Sequence, residues 1–124
     1  MGESWVFSDG SEAVSSKAVL VTLRGRIAGG QLKKWLTSSS GRLLGIVTNT
    51  ERATVMLLDG EGDPGEHAVD PGAGGWSNGF VLANGQHDQY PNEDTVPLEE
   101  AFRIIDHILA AIFPPSDAPW SIDR

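Results

Sequence analysis

The sequence predicts an α+β domain: a mostly antiparallel sheet of about five or six strands packed against a C-terminal helix, with a short second helix. Three observations predict it. Short apolar, β-branched runs alternate with Gly-, Pro- and Asn-rich turns between residues 18 and 90. The pair Asn84-Gly85 sits between two such runs, where a two-residue turn needs positive φ at both centres. Finally, Leu98, Ala101, Phe102, Ile105, Ile108, Leu109 and Ile112 recur at the three-and-four spacing of a buried helical stripe. Strands followed by a helix that covers one face of the sheet define the class.

Along the chain, residues 1–17 read as a short edge strand around Trp5, Val6 and Phe7, or as a loosely held arm. The run Ala18–Leu23, AVLVTL between Lys17 and Arg24, reads as a strand. Leu32, Trp35 and Leu36 share a face at helical spacing opposite Lys33 and Lys34, which predicts the short helix, broken by Ser38–Gly41. Arg42–Thr48 and Ala53–Leu58 read as an antiparallel hairpin about the connection Asn49–Arg52. Asp59–Gly65 is turn chemistry throughout. Glu66–Asp70 reads as a short strand, Pro71–Gly75 as a flexible loop, Gly79–Ala83 as a strand and Gln86–Tyr90 as its returning partner. The long helix runs from about Val96 to Ile112. Glu99, Glu100, Arg103, Asp106 and His107 cover its polar face, and Pro114-Pro115 forbids continuation.

A chain of 124 residues suits one domain over its whole length, and the hydrophobic fraction of 40% argues against wholesale disorder. There is no cysteine, which excludes disulfides, thiolate metal sites and cysteine nucleophiles. No apolar run approaches a membrane span, and Met1–Gly10 lacks a secretory signal, so cytoplasmic residence is the expectation. The net charge of −8 is uneven. Residues 1–58 carry seven Lys/Arg against four Asp/Glu, whereas residues 59–124 carry two against thirteen. Such a balance disfavours direct binding to nucleic acid, whose phosphates require a concentrated cationic surface, and favours a basic partner.

The search for chemistry finds little. His67, His87 and His107 have no second histidine three or four residues away, so no local metal spacing exists. Gly29-Gly30 and Gly72–Gly75 lack the Lys-Ser/Thr of a phosphate loop. The acid pairs Glu93-Asp94 and Glu99-Glu100 read as solvated faces, and Ser38–Ser40 has no nucleophile elbow around it. Trp76 stands out in a segment too polar to bury it easily. It reads equally as a contact anchor and as a lid folded over the sheet edge. Trp35 and Trp120 read as core or core-rim residues.

The run Gly79–Gln86 (GFVLANGQ), then Asp88, Tyr90-Pro91, Asp94–Ala101 (DTVPLEEA), and finally Pro119-Trp120 and Asp123-Arg124, resembles immunity protein family one of bacterial polymorphic-toxin systems. The resemblance spans roughly residues 41–124. Its most specific parts are NGQ-x-D-x-YP and VPLEEA followed by a proline-rich turn and a tryptophan. It implies a protein encoded beside a secreted toxin, often a nucleic-acid deaminase, that protects the producing cell by occluding the toxin domain. The expectation is therefore a non-enzymatic monomer or 1:1 complex with a toxin bearing a basic cleft, without metal, organic cofactor or membrane contact. The alternative is a non-catalytic adaptor or chaperone for a secreted effector. Charge and turn chemistry place the contact surface on Asp59, Glu61, Asp63, Glu66, Trp76, Gln86, Asp88, Tyr90, Glu93 and Asp94.

Overall fold

The computed structural model describes residues 5–7, 16–60, 62–81, 87–111 and 113–122, and of residues 16–18, 81 and 87 the backbone alone. The elements in chain order are β1 (Trp5–Phe7), α1 (Ser16–Ala28), β2 (Lys33–Ser38), β3 (Leu43–Thr48), β4 (Arg52–Leu58), β5 (Glu66–Ala68), β6 (Trp76–Val81), β7 (His87–Pro91), β8 (Val96–Pro97), α2 (Leu98–Ala111) and β9 (Trp120–Ile122). The main sheet is antiparallel with strand order β1-β2-β3-β4-β5-β9, and β8 pairs with the far end of β4. Strands β6 and β7 form a separate ribbon. This is the predicted α+β architecture with two helices.

Two predicted elements exchange type. The run expected as a strand at Ala18–Leu23 lies inside α1, because Val19, Leu23 and Ile27 recur every four residues and are buried, while Val21 faces solvent. Gly29-Gly30 closes α1. Gly30 takes φ +94°, its N–H donates to Ile27 O at 3.0 Å, and Gln31 N–H donates to Arg26 O at 3.0 Å. That is a Schellman cap, which satisfies the last carbonyls of the helix. The segment expected as the short helix is strand β2. Leu36 and Ser38 are buried on one side and Trp35 lies on the other. Its backbone pairs with β3 along Lys33–Thr37 and with β1 at Leu36–Ser38, and pairing on both edges outweighs a weak helical pattern.

The β3–β4 hairpin forms as expected, in register Leu44↔Leu57, Ile46↔Val55 and Thr48↔Ala53. Asn49 Oδ1 accepts from the N–H groups of Glu51 and Arg52, at 3.0 and 2.8 Å, and this Asx turn sets Thr50 at φ +78°. Residues on one face of β2, β3 and β4, namely Leu36, Leu44, Ile46, Ala53, Val55 and Leu57, join the core cluster with both helices. Helix α2 contacts β4 and α1. It starts two residues later than predicted, because Val96-Pro97 pairs with Ala53 and Arg52. Ile104, outside the predicted stripe, is also buried, since α2 faces both the sheet and α1.

The β6–β7 ribbon forms as expected, with a register shift between Ser77 and Phe80; Asn84-Gly85 lies outside the described residues. The ribbon contacts β3, and Asn49 Nδ2 donates to Asn78 O at 2.8 Å. Tyr90 of β7 shares a groove with Thr54 of β4, on the face opposite the helices. Across the rest of that face run Trp35, Gly45, Met56 and His67 in one cross-strand row. A Cβ on Gly45 would stand 2.7 Å from the Trp35 ring, so glycine lets the indole lie flat on the sheet.

Candidate protein-binding surface

Arg52 at the start of β4 organises the surface. Its Nε donates to Thr95 Oγ1 at 2.7 Å, and its Nη2 reaches Asp70 Oδ2 at 2.6 Å, Thr95 O at 3.0 Å and Asn92 O at 3.2 Å. Asn92 carries the connection onward. Its N–H donates to Gly75 O and its Nδ2 to Gly74 O, each at 3.0 Å, while its Oδ1 accepts from Ser77 Oγ. Asp70 N–H donates to Glu93 O at 2.8 Å. The Gly-rich segment before β6 is thus stitched to the 3-10 turn Asn92–Asp94, and the backbone that carries Trp76 is held in place.

Trp76 is the first residue of β6, opposite Pro91, and is 64% exposed. It belongs to a strand rather than to the loop before it, and it does not cover the core. Asp88 and Glu93 are exposed, and Asp88 Oδ1 accepts from Gln89 N–H at 2.8 Å. Tyr90 is half-buried with its ring edge-on to Phe80, centroids 4.8 Å apart. Burial pushes the Tyr90 hydroxyl above its ordinary pKa, and the Asp88 carboxylate pushes it further the same way. Trp76, Asp88, Tyr90, Glu93 and Asp94 therefore fall on one ribbon and the turn that follows it.

The other predicted contact residues divide. Asp59 and Asp63 lie in the β4–β5 turn, where Asp63 Oδ2 accepts Asp59 N–H at 2.9 Å and Asp59 faces Arg42 Nε at 3.9 Å. Glu66 lies on β5. It pairs with Leu57, and its Oε1 accepts from Trp120 Nε1 at 2.6 Å. Glu61 and Gln86 lie outside the described residues.

Between these groups lies a groove of about 210 Å³ on the helix-free face. Met56, Leu58, Pro64 and Tyr90 supply apolar lining, and His67 and Asp94 meet there with Nε2 and Oδ1 3.2 Å apart. A depression of about 320 Å³ adjoins Asp88 and Gln89, and a cleft of about 290 Å³ lies between the helices beside Arg24 and Phe102. The guanidinium of Arg24 stands 4.1 Å from the Phe102 ring centroid and pairs with Glu99 at 3.0 Å. Among the described residues no three His, Asp or Glu side chains gather at a spacing that could hold a metal, and no helix is long and apolar enough to cross a membrane.

Sequence reasoning missed Arg52, Asn92, Met56 and His67 as parts of this surface. The partners of Arg52 lie 18 to 43 residues away, so no local pattern announces them. In comparisons with known proteins, no family model and no curated protein matches the chain.

Proposed function

We propose that this protein is an immunity protein that neutralises a secreted toxin in the cytoplasm of the producing cell by direct stoichiometric binding. The toxin is of the nucleic-acid-acting kind, such as a deaminase, and presents a basic cleft. One observation carries the reading: Trp76 stands largely exposed on a strand whose approach is fastened by Asn92, with Asp88, Glu93 and Asp94 on the same ribbon and turn. An exposed aromatic on pinned backbone loses little freedom on binding, and carboxylates around it favour a cationic partner. The acidic balance after residue 58 and the resemblance to immunity protein family one support the same reading.

The test is co-expression with the toxin domain encoded by the adjoining reading frame. Growth should be restored, and a 1:1 complex that survives chelator treatment should elute from size-exclusion chromatography. Trp76→Ala should leave the fold intact and weaken the complex by about 2 kcal/mol, roughly thirtyfold, mainly through faster dissociation. Continued growth arrest with no complex would overturn the reading.

A further inference from the structure

We propose that the groove on the helix-free face receives a lysine or arginine side chain of the protein partner, its stem against Met56, Leu58 and Tyr90 and its charged head at Asp94. That the partner is a toxin rests on the function proposed above; the chemistry of the groove does not. Both helices join the core on the opposite side of the sheet, and the groove is walled instead by the β6–β7 ribbon at Tyr90 and by the turns that carry Pro64 and Asp94. The volume of about 210 Å³ falls below the roughly 300–1,000 Å³ usual for small-molecule sites, and it suits one long side chain.

The lining selects the occupant. Its lining combines a thioether, a leucine, a proline and a phenol ring with Thr54, His67 and two carboxylates, and the side chain of one of these, Asp94, is 49% exposed. A lining that sets apolar side chains beside a carboxylate matches the side chains that combine an aliphatic stem with a cationic head. His67 Nε2, 3.2 Å from Asp94 Oδ1, holds that carboxylate at the groove. The other acid in the lining, Glu66, directs an oxygen to Trp120. The net charge of −8 draws the same cation from a distance.

Met56 is one of two methionines, Met1 being the other, so methyl-labelled methionine reports on the groove with one assignable signal. The probe is n-butylammonium, the lysine side chain without its backbone, titrated into the full chain. The Met56 methyl signal should shift saturably, and n-butanol and butyrate at equal concentration should shift it far less. Raised salt or Asp94→Asn should weaken the apparent affinity by about threefold, the scale of one partly screened ion pair. Asp106→Asn, an equal charge change on the outer face of α2, should have no effect. Leu58→Lys, which places a resident ammonium in the groove, should abolish the shift and covers the case in which Asp94→Asn disturbs the fold. A shift that butanol reproduces, an absent shift, or an equal loss in Asp106→Asn would overturn the proposal. A toxin complex formed by a chain that ignores butylammonium would leave the proposed function standing. A butylammonium response without any toxin complex would do the reverse.

Discussion

Arg52 joins three segments that are distant in sequence through one guanidinium, and most of its side chain is shielded from water. Substituting methionine keeps the stem but removes four donated hydrogen bonds, leaving the buried Thr95 and the Asp70 carboxylate without their shared donor. Hydrogen bonds to charged groups contribute about 1.5–3 kcal/mol, so Arg52→Met should lower the unfolding free energy by about that amount. The amides of Asp70 and Asn92, which donate to Glu93 O and Gly75 O, should exchange with solvent faster than in the parent. A denaturation midpoint and exchange pattern identical to the parent would show that the junction holds without the arginine. The pair Trp35 and Gly45 is the second residue-scale feature, since the indole lies where any other side chain on β3 would stand. Leu36, one residue on, faces the core instead, because successive side chains in a strand alternate.

At the scale of elements, α2 is the main apolar contributor to the core. Ile105 is 1% exposed, within the stripe that packs on the sheet and α1. Ile105→Ala removes three carbons and leaves a cavity, which should cost about 2–5 kcal/mol, read as a lower denaturation midpoint. An unchanged midpoint would contradict the packing of this helix. The β3–β4 hairpin carries the opposite kind of site. Thr50 holds φ +78° although its Cβ is branched, a conformation that costs roughly 1–2 kcal/mol for L-residues. Glycine removes that cost but adds about 0.5–1 kcal/mol of chain entropy. Thr50→Gly should therefore stabilise the protein by about 0.5–1 kcal/mol, with a raised thermal midpoint as the readout. A lowered midpoint would show that the Thr50 side chain is worth more than its strain.

Across the whole molecule, the sheet order sets Lys33 and Lys34 apart from the acidic β4–β5 turn, whereas Arg24, Arg42 and Arg52 meet acids of the second half, Glu99, Asp59 and Asp70. Strands β1 and β2, with Lys33 and Lys34 on β2, lie at one edge, and the acidic turn, β5 and β9 lie toward the other. Asp59 of that turn and Asp88 and Glu93 of the ribbon and the turn after it are all exposed. Replacing them with Asn, Asn and Gln should leave the fold unchanged, slow association with the proposed toxin by about tenfold, and flatten its dependence on salt. Stopped-flow association at several ionic strengths reads this directly. Rates indifferent to both changes would remove the electrostatic part of the reading, and a complex contacting Lys33 and Lys34 instead would move the surface to the opposite edge.

The sequence alone determined α2, the β3–β4 hairpin and the pairing of β6 with β7. Each rests on a pattern long enough, or a turn specific enough, to exclude alternatives: fourteen helical residues with one apolar stripe, and an asparagine turn between two apolar runs. Only tertiary structure decided between helix and strand for residues 18–23 and 33–38. Six residues of mixed apolar and polar character satisfy both periods, and the choice fell to Gly30 as a helix cap and to the ladders on both edges of β2. The same division runs through the candidate surface. The acids of the turns were legible as surface groups because polar turn segments cannot bury them, whereas Trp76 read equally as an anchor or a lid until the strand β6 set it facing solvent. The Arg52 junction, the Glu66–Trp120 hydrogen bond and the groove at Met56 were not, because each depends on residues brought together from distant strands, and cross-strand register leaves no trace in a local pattern.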